Sequence, residues 1–324
     1  MKRFLIIQTA YIGDVILATP LIENLASNFP DSKIDFLVKK GNEQLLQNHP
    51  ILSKVFVLDK SQKIKSIYNL ICQFRKEKYH AIFNLHRFTS SGLITLLSRS
   101  DKRYGFNKNP FSFAYTFAYD HKIGNGTHEV DRNLKVISAI CSTVSTKPKL
   151  FPSNSDFDFV SEYKEGFYFC IAPSSVWFTK QVPKQKWVEL IQSVSKNSMS
   201  IYLLGAQSDQ ILCEEILIDS GVKRIQNLSG KLSLMQSAAL MRDAKMNFVN
   251  DSGPLHIASA MNAPVSVFFC STIPEFGFGP LSDESEIIEV KNLECRPCGI
   301  HGHKACPKGH FKCGNLLELS KFNS

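Results

Sequence analysis

Apolar and polar positions along the chain switch repeatedly between two periods. Phe4-Leu5-Ile6-Ile7, set between Arg3 and Gln8, is a short continuous apolar run of the kind carried by a strand buried on both faces. From 14 to 29 the spacing changes, and Ile16, Leu17, Leu21, Ile22 and Leu25 recur as on one face of a helix. The same succession predicts strands at 34–38, 55–58 and 81–85, helices at 64–76 and 92–98, an edge strand at 102–106 and a helix at 128–140. Residues 142–166 are rich in Ser, Thr, Pro, Lys and Asp and show little periodicity, which reads as a linker. Alternation then restarts, with strands at 167–172, 201–204, 246–249 and 264–269 and helices at 186–195, 209–218 and 234–242.

Strands alternating with helices imply parallel sheets covered on both faces. The chain is therefore expected to be α/β, with two Rossmann-like domains, 1–155 and 156–324, facing across a cleft. Ligands of such sheets bind outside the carboxyl ends of the strands, so the polar turns following each strand are the places to look for chemistry.

Composition narrows the class. Of 324 residues, 44% are hydrophobic and 21% charged, as in ordinary globular proteins. The excess of 38 Lys and Arg over 29 Asp and Glu gives +9, which favours anionic partners, although the charge is spread along the chain. Lys2-Arg3 before an apolar run imitates the start of a signal peptide. Gln8, Gly13 and Asp14 interrupt that run, so a buried first strand and a cytoplasmic protein are expected. No stretch approaches the roughly 20 apolar residues of a membrane span. Cys72, Cys141, Cys170, Cys213 and Cys270 are scattered, mostly among apolar residues, as reduced core cysteines are.

Three strand-end turns carry candidate chemistry. Asp14 follows Gly13 after the first strand, where a carboxylate is either a helix cap or a general base able to reach a substrate hydroxyl, with Gly13 allowing close approach. Ser174, Ser175 and Lys180 follow the first strand of the second half, as an exposed loop or a phosphate clamp with Lys180 as its point charge. Asn250-Asp251-Ser252-Gly253-Pro254-Leu255-His256 joins a strand to a small-residue helix. Asp251 or Ser252 can cap that helix, Pro254 suits its first turn, and its free N–H groups and dipole favour an anion. No Gly-x-Gly-x-x-Gly fingerprint and no P-loop occurs.

Taken together, the chain resembles glycosyltransferase family 9, the ADP-heptose:lipopolysaccharide heptosyltransferase family of GT-B architecture. The residues that carry the resemblance are Ile12-Gly13-Asp14-Val15-Ile16 with Thr19-Pro20, His128-Glu129-Val130-Asp131-Arg132-Asn133, Ala172-Pro173-Ser174 with Lys180, 250–258, and Pro274-Glu275-Phe276-Gly277-Phe278-Gly279-Pro280. The resemblance implies an inverting enzyme that moves a heptose from ADP-heptose to the inner core of lipopolysaccharide without a catalytic cofactor or metal. Asp14 would be the base, in an acceptor domain. Ser174, Ser175, Lys180, Asp251, Ser252, Gly253 and His256 would hold the donor. The enzyme would be peripheral to the inner membrane, its acceptor a lipid A-core molecule.

The tail adds Cys295, Cys298, Cys306 and Cys313, four thiols within 19 residues, interspersed with His301, His303 and His310. A structural zinc site fits that spacing, with His310 as an alternative ligand; reduced or redox-labile thiols and disulfides are the other readings. Two competing functions stay open: a nucleotide-sugar epimerase or hydrolase of the same architecture, and a zinc-stabilised nucleic-acid-binding protein. Against the latter, basic and aromatic residues do not concentrate around the cysteines.

Overall fold

The structure, a computed structural model, describes residues 1–195 and 199–319. The last five positions of the expected second domain lie outside the described residues. The chain forms two compact units, one from Met1 to Phe151 and one from Pro152 onward. The first is built on six parallel strands, β1 (Arg3–Ile7), β2 (Lys33–Lys39), β3 (Leu52–Leu58), β4 (Tyr79–Asn84), β5 (Ser100–Phe106) and β6 (Phe117–Tyr119), in the order β3-β2-β1-β4-β5-β6. Its helices are α1 (Ile12–Ile16), α2 (Pro20–Asn28), α3 (Lys63–Glu77), α4 (Thr89–Leu97) and α5 (Glu129–Lys135).

The second unit repeats the winding. Strands β7 (Tyr168–Ala172), β8 (Ser200–Leu203), β9 (Ile225–Asn227), β10 (Met246–Asn250), β11 (Val265–Phe269) and β12 (Ser285–Glu289) lie in the order β12-β11-β10-β7-β8-β9. Helices α6 (Asn154–Phe159), α7 (Lys184–Val194), α8 (Gln210–Ser220), α9 (Leu234–Arg242), α10 (Gly253–Met261) and the short α11 (Lys312–Asn315) belong to it. Both units are thus α/β with the Rossmann strand order. Each has a switch point where the winding reverses, between β1 and β4 in the first and between β7 and β10 in the second.

Burial explains why the central strands read as apolar runs: every residue of β7 and β11 is buried, as is β1 from Phe4 onward. Trp187, on α7, is almost wholly buried with its ring 5.1 Å from that of Phe268. One charge breaks the apolar pattern of β2. Asp35 is fully buried, and its Oδ2 accepts from Arg3 Nε at 2.7 Å and from the Tyr79 hydroxyl at 2.7 Å. Arg3 also pairs with Glu77, so the buried carboxylate belongs to a connected polar group.

Several elements differ from the pattern-based expectation. The single helix expected over 14–29 is two, because Pro20 begins α2. Proline has no N–H to continue a helix, and Thr19 Oγ1 instead donates to Ile16 O at 2.8 Å in the intervening turn. The helix expected over 128–140 ends at Lys135, beyond which Val136, Ile137 and Ser138 donate to carbonyls three residues back. Strand β5 is not the edge of its sheet, since the three-residue β6 pairs outside it. The expected linker contains α6, capped by Ser153, whose Oγ accepts from the Asp156 N–H. The short β9 and the largely exposed β12 had no apolar signature to announce them.

Candidate functional site

In the first unit, the carboxyl ends of β1, β2 and β4 converge on the turn that opens α1. Asp14 does not cap α1 from outside; it lies in the first turn, and its Oδ2 accepts the Tyr11 N–H at 3.0 Å. Burial, and after it the charge of Glu129, raise the Asp14 carboxyl from 3.8 to about 6, against the opposing pull of the Tyr11 N–H and of Lys39. A carboxyl so placed exchanges its proton near neutral pH, as a general base must. Gly13 beside it is half-buried.

Two sets of residues that the sequence reading had not connected to Asp14 surround this turn. Thr9 Oγ1 lies 2.8 Å from Nδ1 of His86, Lys60 Nζ donates to Thr9 O at 3.2 Å, and the Lys39 ammonium sits 4.7 Å from the Tyr11 ring centroid. Burial, reinforced by Lys60, Arg87 and Lys39, lowers His86 to about 4, so the imidazole is neutral beside three cations. The second set lies on α5. Glu129, also buried, bonds His121 Nε2 at 3.0 Å and Arg132 Nε at 2.6 Å. Burial works against its charge, but these partners outweigh it and hold its pKa below the ordinary value. Asn133 Nδ2 donates to Leu17 O at 3.3 Å, tying α5 to the residue that ends α1. The polar run 128–133 therefore braces the helix that presents Asp14. Lys39 and His86 lie at strand carboxyl ends, a signal the sequence contained.

In the second unit, the turns after β7 and β10 meet at the switch point. Lys180 Nζ is 2.6 Å from Asp251 Oδ2, and the same oxygen accepts the Thr272 hydroxyl at 2.5 Å. Asp251 is therefore occupied as an ion-pair partner and does not cap α10. Ser252 takes the N-cap position, but its side chain makes no capping bond; its carbonyl accepts the Leu255 N–H at 3.1 Å. His256 is buried in the first turn of that helix. Asn250 fastens the two loops together: its Oδ1 accepts Val182 N–H at 2.9 Å and its Nδ2 donates to Pro173 O at 2.8 Å. Ser174 and Ser175 are half-buried in the fastened loop, Ser175 O accepting from Gln181 Nε2 at 2.6 Å. Asn250 was read from sequence only as the first residue of its turn, with no role of its own, and Thr272 was not singled out, because an amide ending a strand and a threonine after one have no signature until the loops are brought together.

The expectation of transfer without a metal rests in part on the absence of an Asp-x-Asp motif, but the chain has such a triplet, Asp156-Phe157-Asp158. It lies on α6, where Asp156 Oδ2 accepts the Ser153 N–H at 2.8 Å and the Phe157 ring packs 4.0 Å from Arg242, the last residue of α9. That end of α9 leads to the start of β10, the edge of the sheet opposite the Lys180 turn.

The zinc expectation for the tail is corrected. All four cysteines are free thiols, and among the described residues no group of three or more His, Cys, Asp or Glu is placed to hold a metal ion. Cys298 Sγ donates to Cys295 O at 3.0 Å, Cys295 Sγ lies 3.8 Å from His310 Nε2, and Cys313 packs in the hydrophobic core with Phe311 and Leu317. Burial, and after it the neighbouring thiols Cys298, Cys306 and Cys295, push the Cys313 thiol up to about 11. With its last turn packed into the core of its own unit, the tail also gives no support to a separate nucleic-acid-binding module. Among the described residues no helix is long and apolar enough to cross a membrane.

Comparison with known proteins agrees with the fold. The sequence profile of glycosyltransferase family 9 (heptosyltransferase) matches residues 67–308. Lipopolysaccharide heptosyltransferase 3 of Escherichia coli K12 is 26% identical over 288 residues, covering 81% of this chain and 80% of that one. Among solved structures, E. coli ADP-heptose lps heptosyltransferase II superposes with a TM-score of 0.76 at 20% identity over 100% of each chain. E. coli heptosyltransferase WaaC, solved with ADP, gives 0.74 at 20% identity over 88% of this chain and 92% of that one. At these identities the structural likeness concerns the fold.

Proposed function

The chain belongs to glycosyltransferase family 9, and from that premise we propose that it transfers a heptose from ADP-heptose to the inner core of lipopolysaccharide, with Asp14 as the general base. The observation that carries the donor assignment is the meeting of Lys180 and Asp251 at the switch point of the second unit, beside the start of α10. Nucleotides bind at such points, with phosphate at a helix N-terminus.

On this reading 1–155 binds the acceptor and 156–324 the donor. Asp14 takes the proton of the acceptor hydroxyl as its oxygen attacks the anomeric carbon. The bond from that carbon to the diphosphate oxygen breaks in the same step, so the configuration inverts. Charge develops on the departing diphosphate, where the Lys180 ammonium and the N–H groups at the start of α10 stabilise it without calling on a metal. Asp251, anchored by Thr272, keeps the ammonium in place before donor arrives, and Ser174, Ser175, Ser252, Gly253 and His256 complete the donor pocket. Gly13 leaves room for the acceptor. Lys39, beside Asp14, with Lys60 and Arg87, beside His86, suit a phosphorylated lipid A-core acceptor presented at the cytoplasmic face of the inner membrane.

The test is transfer by the purified protein to heptose-deficient lipid A-core acceptor, with ADP-heptose offered beside UDP-glucose. The reading expects an extended acceptor with ADP-heptose only; an acceptor extended from UDP-glucose alone refutes the donor assignment.

A further inference from the structure

The cysteine-rich segment has no part in the chemistry described, yet it is bonded to both loops that form the Lys180–Asp251 pair. Thr179, next to Lys180 and almost fully buried, donates its N–H to His303 O at 3.1 Å, and its hydroxyl accepts the His303 N–H at 2.7 Å. His303 Nε2 is in turn 2.7 Å from Cys298 O, and Cys298 N–H donates to Ser271 O at 3.0 Å. Arg296 reaches the next residue, donating to Thr272 O from Nε at 3.0 Å and from Nη2 at 2.7 Å. Its guanidinium is held from behind by Glu289 at 2.5 Å and by Val290 O at 3.1 Å. Thr272 is the residue whose hydroxyl bonds Asp251.

Gly302 shows how closely the segment is fitted. Its φ of +80° is one that L side chains rarely adopt, and a Cβ there would stand 3.1 Å from Thr179 Oγ1 and 3.2 Å from both Lys180 Cγ and Trp177 Cβ. A side chain at this position would press directly on the turn carrying Lys180.

We propose that residues 295–303 form a brace that positions Lys180 through Thr179 and Asp251 through Thr272, with Arg296, Gly302 and His303 as positioning residues. The brace deepens the donor reading and rests on it for its functional consequence. Two bonds from His303 fix the Lys180 turn, and two from Arg296 fix the residue that anchors Asp251. The tail thereby sets how well both charges are arranged for a nucleoside diphosphate before it binds, which is where binding energy is gained. The cysteines serve the brace as small residues in a tight loop: Cys298 contributes its backbone N–H and carbonyl.

The test compares wild-type protein with Thr179→Val, Thr179→Ser, Gly302→Ala and, as control, the exposed Lys304→Ala. Hydrogen exchange is read at the amides of Thr179, Lys180 and Gln181 without ligand, and ADP affinity by titration. The brace predicts faster exchange at these amides and about tenfold weaker ADP binding in Thr179→Val and Gly302→Ala, with β7 and α7 amides unchanged. Thr179→Ser, which keeps the hydroxyl acceptor, returns both readouts to wild type, and Lys304→Ala changes neither. In transfer assays the loss falls on KM for ADP-heptose and on kcat together, because Lys180 also faces the charge that develops on the departing diphosphate. Unchanged exchange and unchanged ADP affinity in Thr179→Val overturn the brace. Wild-type protein that fails to bind ADP overturns the donor reading instead, and the exchange data then decide the brace alone.

Discussion

Lys180 and Asp251 stand 2.6 Å apart although one follows the first strand of the second unit and the other the fourth. Parallel winding brings these strands side by side, β7 against β10, so the turns after them become neighbours. Asp251 is buried and Lys180 nearly so, and neither charge is left alone.

The pair predicts a stability cost from losing either member. Lys180→Ala should weaken ADP binding at least tenfold, about 1.4 kcal/mol, and, by leaving the buried Asp251 carboxylate without its counter-charge, should also cost about 3 kcal/mol of stability. Asp251→Ala leaves an ammonium without its counter-charge and Thr272 without its acceptor. It should cost about 3 kcal/mol of stability, read by urea unfolding, besides its effect on ADP.

Glu129 is predicted to tune Asp14. Replacing Glu129 by Gln removes a negative neighbour and frees the positive charge of Arg132, and both changes lower the Asp14 pKa from about 6. The acid limb of the transfer rate against pH should move to lower pH, and the rate at pH 5 relative to pH 8 should rise. Movement of that limb to higher pH would contradict the assignment.

Asp35 tests the buried polar group of the first unit. Asp35→Ala removes the acceptor of both Arg3 and Tyr79, leaving a buried hydroxyl unpaired and a half-buried guanidinium with Glu77 alone. The expected loss is about 3–5 kcal/mol by denaturant unfolding. Adding Arg3→Met to Asp35→Leu should recover part of it.

Two histidines give the fold a sensitivity to acid. Burial, and after it Lys149, lower His49 to about 4; burial with Lys60, Arg87 and Lys39 lowers His86 to about 4. The folded pKa lies below the unfolded value of 6.5 in each case. Between these values the unfolded chain binds the extra protons, so stability present above pH 6.5 is lost as the pH falls toward 4, by as much as about 3 kcal/mol for each histidine. Asp14, raised toward 6, works the other way over part of the window. Melting temperatures should fall from pH 7 to pH 4.5, and His49→Gln should flatten that slope.

Much of this arrangement was legible because strand ends are legible. The runs that became β1, β7 and β10 are apolar, the turns after them are polar, and Asp14, Lys180 and Asp251 stand in those turns. The sequence was less informative where a role depends on a partner far along the chain. Asp251 resembles a helix cap until Lys180 and Thr272 are beside it. Glu129 resembles a helix start until α5 packs near α1. The cysteine spacing resembles a metal site, but spacing does not record that Cys313 is drawn into the core or that Cys298 turns to a carbonyl. Pro20, by contrast, announced a break that the apolar periodicity concealed.

The central claim is that Asp14 removes the acceptor proton. Single-turnover transfer from ADP-heptose, followed from pH 5 to pH 9 in wild type and Asp14→Ala with ADP affinity measured alongside, tests it most directly. The wild-type rate should fall below about pH 6, as Asp14 takes up its proton. Asp14→Ala should lose about 10²–10⁴-fold in rate and lose the acid limb, with ADP affinity preserved. A variant that transfers at the wild-type rate with the same acid limb would show that the proton goes elsewhere.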